Sequence, residues 1–118
     1  MATFGKYLQC SRLALNEGKP GRFSLRKVAD LSGIHPSYLS QVENDKLAPP
    51  SEDTIKRLAD VLGEDPDVLL ALAGKVSTEL QDIIAKRPTL FAELIRQLKN
   101  QPDDAILHIV REVKDGKW

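Results

Sequence analysis

Residues 24–44 read SLRKVADLSGIHPSYLSQVEN, and their spacing of small, apolar and polar residues is what two short helices crossing at a tight turn require. Ser24 can cap the first helix, and Gly33 permits the turn that ends it, because glycine adopts backbone conformations that other residues enter only with strain. Ala29 suits the crossing, since helices that meet at a steep angle leave little room at the contact. The stretch therefore predicts two helices joined by a tight turn.

The second helix of this pair has an apolar side and a polar side. Pro36 fits its first position, because the φ of proline is already helical and the missing N–H is not needed there. The polar side carries short hydrogen-bonding residues at i, i+3, i+4 and i+7, which are Ser37, Ser40, Gln41 and Asn44. Such a stripe is typical of a helix that reads base edges in a DNA major groove, although an ordinary solvated helix face has the same pattern.

Residues 24–62 resemble the helix-turn-helix of the Cro and lambda-repressor-like family, also called the xenobiotic response element family. The motifs that carry the resemblance are Val28-Ala29, Gly33-Ile34, Leu39, Val42-Glu43, Lys46, Pro49-Pro50-Ser51, Thr54-Ile55, Leu58-Ala59 and Leu62-Gly63. The resemblance implies an all-α fold, with a five-helix lambda-repressor-like DNA-binding domain over residues 1–75.

The resemblance also implies roles for individual residues. The residues expected to face the DNA bases are Pro36, Ser37, Gln41 and Asn44. Those expected to contact the DNA backbone are Ser24, Arg26, Lys27, Tyr38, Ser40 and Lys46, since the first helix of the pair crosses the sugar-phosphate backbone in this docking mode. Arg12 and Glu43 would form a buried ion pair that joins the first helix of the chain to the second helix of the pair; the alternative is that both side chains are exposed.

Three positions depart from the family pattern. Leu25 stands where many members have a glutamine that braces the DNA backbone, so the resemblance does not extend to this contact. His35 replaces the usual serine or threonine cap. Asp45 replaces a glycine that ends the second helix in the left-handed conformation, which aspartate is among the few other residues to tolerate.

The remaining helices of this domain are predicted from periodicity and from their end signals. A first helix over residues 3–16 would support the pair. Ser51 would cap the fourth helix, whose apolar positions are Ile55, Leu58, Ala59 and Leu62, and Gly63 would end it. Asp65-Pro66 would open the fifth, with Val68, Leu69 and Leu72 facing the core.

Periodicity continues after residue 76 through about three more helices, with Pro88 and Pro102 opening the last two. Their apolar faces are wider than a helix needs to lie on a small core. We therefore expect residues 76–118 to be a helical extension that forms a homodimer, although an intramolecular cap is the alternative. The dimer contact is expected on the last helix, through Ile106, Leu107, Val110 and Val113.

The charge of the chain is zero overall but unevenly distributed. Residues 1–47 hold seven basic and four acidic residues, a net charge of +3, whereas residues 48–75 have −3 and the remainder is balanced. Positive charge therefore concentrates in the segment that would meet anionic DNA. The single cysteine, Cys10, rules out an internal disulfide and suits a reducing compartment. With no apolar run of signal-peptide or membrane-span length, we expect a cytoplasmic protein.

Nothing in the sequence favours an enzyme, a metal site or a cofactor. His35 and His108 lie on different elements without companion ligands, and no nucleophile motif or phosphate loop is present. The pattern instead indicates a sequence-specific transcriptional regulator, most simply a repressor, that binds double-stranded DNA. Two alternatives remain: an antitoxin that represses its own operon and binds a toxin through its tail, and a protein-interaction module that keeps the fold without binding DNA.

Overall fold

The structure is a computed structural model that describes residues 3–116. These residues form eight α-helices and no β-strand, as predicted for an all-α fold. The helices are α1 (Phe4–Gly18), α2 (Leu25–Leu31), α3 (Pro36–Glu43), α4 (Glu52–Leu62), α5 (Pro66–Leu72), α6 (Thr78–Lys86), α7 (Pro88–Leu98) and α8 (Asp103–Asp115). The chain divides into two compact units, with the boundary between Ser77 and Thr78.

Side-chain caps begin α2, α4 and α5 at the predicted residues. The Ser24 hydroxyl accepts a hydrogen bond from the Lys27 N–H, and Ser51 and Asp65 begin α4 and α5 in the same way. Gly63 ends α4 in the left-handed conformation, with φ of 68°. Three predicted bounds were wrong. α1 begins at Phe4, after its N-cap residue Thr3, and continues two residues further than predicted, to Gly18. α8 begins after Pro102, which is its N-cap residue rather than its first helical residue.

The core of the first unit contains side chains from all five of its helices. α1 packs against α3 and α4, α2 packs against α3 and α4, and α4 packs against α5. The buried apolar residues are Phe4, Leu8, Val28, Ala29, Leu39, Val42, Ile55, Leu58, Ala59, Leu62, Leu69 and Leu70. The apolar face predicted for α4 is confirmed in full. In α5 the prediction of Val68 was wrong, because this side chain is 49% exposed and Leu70 is buried in its place.

A polar network joins the middle of α1 to the segment after α4. The Glu64 carboxylate accepts hydrogen bonds from the Tyr7 hydroxyl (2.9 Å) and the Ser11 hydroxyl (2.8 Å). The hydrogen bond from the Tyr7 hydroxyl to Glu64 raises the pKa of Tyr7, and burial and the negative charge of Glu64 raise it further. The network therefore joins α1 to the segment that follows α4.

The second unit has amphipathic helices without a buried core. α6 packs against α7, but no described residue of α6, α7 or α8 is buried. Large apolar side chains that are more than a third exposed occur on all three helices; they are Ile83, Leu90, Leu94, Ile95, Leu107, Ile109, Val110 and Val113. Within residues 3–116, no helix is both long and apolar enough to cross a membrane.

Candidate nucleic-acid interface

The turn between α2 and α3 is fixed by its backbone hydrogen bonds. Gly33 has φ of +71°, and the Ile34 N–H donates to the Ala29 carbonyl oxygen at 3.0 Å, which reverses the chain within a few residues. Ala29 and Leu39 are fully buried at the crossing. A larger residue at position 29 would separate the two helices, since the contact is already closed. The predicted helix pair is therefore present, with a closely packed crossing.

Arg57 of α4 braces this turn from outside the pair. Its Nε donates to the Ser32 carbonyl oxygen at 2.9 Å, and its Nη2 donates to the Thr54 hydroxyl at 3.2 Å. The first bond satisfies a carbonyl at the C-terminal end of α2, where a positive charge is also favoured by the helix dipole. Arg57 was not predictable from local sequence signals, because its contact lies 25 residues away in the chain.

His35 caps α3 through its imidazole ring. Nδ1 accepts a hydrogen bond from the Ser37 N–H at 3.2 Å, and it lies 2.8 Å from the Ser37 hydroxyl. Because Nδ1 is the acceptor in the cap, the ring proton belongs on Nε2. The replacement of a serine or threonine cap by histidine therefore keeps the function of the cap, and it orients the Ser37 side chain at the first turn of α3.

The polar stripe of α3 is accessible to a ligand. Ser37, Gln41 and Asn44 are exposed, whereas Pro36, Ser40 and Tyr38 are half-buried, the last against the core. Asn44 uses one N–H of its amide to donate to the Ser40 carbonyl oxygen at 2.7 Å, which satisfies the C-terminal end of α3. Gln41 lies between these capped ends, on the exposed side of the helix.

The C-terminal end of α3 lies against the start of α1. Asp45 has φ of +59°, so aspartate does adopt the left-handed conformation in place of glycine. Its carboxylate accepts a hydrogen bond from the Thr3 hydroxyl at 2.7 Å. Gly5 is buried at the same contact, where a Cβ atom would overlap the carbonyl oxygen of Val42 and lie 2.9 Å from that of Glu43. Only a glycine permits so close an approach.

Arg12 and Glu43 lie together in the interior, with side chains that are 9% and 2% exposed. The contact is bidentate: Nε of Arg12 donates to Oε2 of Glu43 at 2.8 Å, and Nη2 donates to Oε1 at 2.9 Å. Nη1 donates further to the Phe23 carbonyl oxygen at 3.2 Å. This geometry is the strong form of an ion pair, and it fixes the last turn of α3 against α1 and against the loop before α2.

The residues expected at the DNA backbone are distributed over α2, α3 and the segment after α3. Arg26, Lys27 and Lys46 are exposed, and Ser24 is half-buried with its hydroxyl oxygen accepting from the Lys27 N–H. The Ser24 hydroxyl proton remains able to donate, because the cap uses only the oxygen. Among residues 3–116, no group of three or more histidine, cysteine, aspartate or glutamate side chains has the geometry to hold a metal ion.

Comparison with known proteins places this arrangement in a family. Residues 19–69, which include α2, α3, α4 and the beginning of α5, match the family described as helix-turn-helix, of the Cro and C1 type. Searches of the curated proteins and of the solved structures gave no match. The matching family consists of DNA-binding regulators and not of enzymes. Residues 19–69 are therefore a lambda-repressor-like helix-turn-helix domain, which supports a DNA-binding transcriptional regulator in general.

Proposed function

We propose that the protein is a sequence-specific repressor that acts in the cytoplasm and binds an inverted-repeat operator as a homodimer. The observation that carries the proposal is the exposed polar stripe of α3 beside a turn fixed by Gly33 and Arg57. In the helix-turn-helix docking mode this helix enters the major groove, and α2 crosses the DNA backbone. A protein bound in this way over a promoter excludes other proteins from it, which is the simplest form of repression.

A dimer is proposed because one domain offers few contacts to DNA. α3 presents only three exposed polar side chains on its stripe, and a single module seldom reaches useful specificity against a genome. A two-fold dimer doubles the contacts and places the two copies of α3 about 34 Å apart, one turn of DNA. The exposed apolar residues of α8, among them Leu107, Val110 and Val113, are the surface that we assign to the dimer.

The same apolar surface favours a second candidate function. An antitoxin would cover these faces with a toxin while its helix-turn-helix domain represses the shared operon. Expression of the chain with its genomic neighbours separates the two functions. A second small polypeptide that purifies with the chain in a fixed ratio would favour the antitoxin, whereas a homodimer that still binds its operator favours the repressor.

Gln41→Ala is expected to relax specificity at one base pair of each half-site. Gln41 is exposed in the middle of the stripe, and its amide can both donate to and accept from an adenine edge. The loss at the operator should be about 1–3 kcal/mol, with little change on random DNA. Binding measured on a set of operators with single base changes tests this role. A profile identical to that of the wild type would contradict the assignment of Gln41 to a base.

Removing both Arg26 and Lys27 is expected to weaken binding to all sequences alike. Both side chains are exposed on α2, where they can reach phosphates but carry no sequence information. The slope of log K against log salt should fall by about one unit for each lost contact. The matched control is the removal of Lys86 and Arg87, which lowers the charge equally in the second unit. The control should keep the wild-type slope. If the variant without Arg26 and Lys27 keeps it too, the proposed orientation on DNA is wrong.

A further inference from the structure

The exposed side of α8 carries a regular stripe of four residues. Asp103, Leu107, Val110 and Lys114 are separated by four, three and four positions, so they follow one line along the helix. Leu107 and Val110 are each 47% exposed, whereas Ile106, beside them on the helix, is half-buried. The stripe therefore lies on an exposed side of α8.

The stripe is complementary to a second copy of itself that runs in the opposite direction. Its midpoint falls between residues 108 and 109, and the two apolar residues and the two charged residues are each placed symmetrically about that point. In an antiparallel pair of α8 helices, Leu107 would lie opposite the partner's Val110, and Asp103 opposite the partner's Lys114. A parallel pair would instead place like charges opposite each other at both ends, which is unfavourable.

We propose that α8 pairs antiparallel with α8 of a second copy, through a seam of Leu107 and Val110 that is closed at each end by an Asp103–Lys114 ion pair. The inference rests on the proposed homodimer and names its contact and its direction. The apolar residues supply the attraction, because they remove exposed hydrocarbon from water. The charged ends favour this orientation over the parallel one and over partners without the matching charges.

The helix dipole offers another reason for the same charges. Asp103 lies in the first turn of α8 and Lys114 in the last, where each sign is favoured within a single helix. Charge reversal separates the two explanations. If the charges stabilise only the helix to which they belong, reversing both should lower helix content and weaken the dimer more than reversing either one. If they pair across the seam, the second reversal should restore the dimer affinity that the first reversal lowered.

The test compares four full-length proteins: wild type, D103K, K114D and the double variant. Sedimentation equilibrium gives the dimer dissociation constant of each at low salt, and circular dichroism measures helix content. Each single variant places like charges at both ends of the seam, and its dissociation constant should rise about 5- to 30-fold. The double variant should return to within about threefold of the wild type. An equimolar mixture of D103K and K114D should form a heterodimer.

Three results would overturn the antiparallel seam: a wild-type protein that stays monomeric, single variants that dimerise as well as the wild type, or a double variant weaker than both single variants. The proposed function is read separately, by retention of operator DNA. If the wild type binds an inverted repeat and the charge-reversed variants dimerise as well as the wild type, the seam is refuted and the dimeric repressor stands. If dimerisation depends on these charges but the protein retains no specific DNA, the seam stands and the sequence-specific repressor is refuted.

Discussion

Glu43→Ala is expected to lower the free energy of unfolding of the first unit by about 3–5 kcal/mol, because it leaves the buried Arg12 guanidinium without its counterion. Glu43 accepts both Nε and Nη2 of Arg12, and both side chains are almost fully covered. A domain of this size is stable by only about 5–15 kcal/mol, so the variant should be partly unfolded in mild denaturant. Urea unfolding followed by circular dichroism measures the loss.

Two further variants show whether the loss comes from the unpaired charge. Glu52→Ala removes a carboxylate from the surface pair with Lys56, and it should cost about 1 kcal/mol or less. Replacing Arg12 by methionine together with Glu43 by leucine removes both charges, and it should recover much of the stability lost in Glu43→Ala. A Glu43→Ala protein as stable as Glu52→Ala would show that the ion pair does not hold α3 in place.

Gly5→Ala is expected to weaken both folding and DNA binding. The added methyl group would meet the carbonyl oxygens of Val42 and Glu43, which belong to the backbone of α3 and cannot rotate away. α1 and α3 must therefore separate, at a cost near the upper end of the usual range for overpacking, about 1–3 kcal/mol. Because α3 carries the polar stripe, we expect operator affinity to fall even where the protein remains folded.

Gly18→Ala is the matched control, since Gly18 is the last residue of the same helix and has no atom within 4 Å of an added Cβ. This change should leave DNA binding unaltered and increase stability by up to about 1 kcal/mol, because alanine favours the helix more than glycine does. Thermal unfolding and operator titration of both variants test the contact. Equal behaviour of Gly5→Ala and Gly18→Ala would show that α1 does not approach α3 closely.

The sequence predicted those features that depend on local signals. The caps at Ser24 and Ser51, the left-handed turn at Gly33 and the periodic apolar face of α4 are each decided within a few residues, and all are present. The error at Val68 has the opposite cause. Val68, Leu69 and Leu70 are consecutive apolar residues in a short helix, so the pattern does not determine which of them faces the core.

Contacts between distant segments were not predictable from periodicity. Arg57 reaches the end of α2, Thr3 reaches Asp45, and Gly5 lies against α3. Neither Arg57, Thr3 nor Gly5 stands out in the sequence. The pair of Arg12 and Glu43 was identified only through the resemblance to a family. A side chain that supports the DNA-binding helix from another helix therefore requires the fold to be known before it can be recognised.

In the second unit the sequence pattern predicted the helices but not what covers their apolar sides. Periodicity predicted its three helices, but a pattern of apolar residues shows only that a helix has an apolar side and not what covers it. In the structure Leu90, Ile95 and Val113 are each more than half exposed. The homodimer and the protein partner proposed above would each cover these side chains.

The most direct test of sequence-specific DNA binding is selection from random DNA. The purified full-length protein is mixed with random duplexes, and the retained fragments are sequenced after several rounds. The proposal predicts an inverted repeat whose half-sites lie about 10 base pairs apart, centre to centre, with one position in each half-site that becomes degenerate in Gln41→Ala. Retained fragments that share no sequence, or no retention at all, would contradict it.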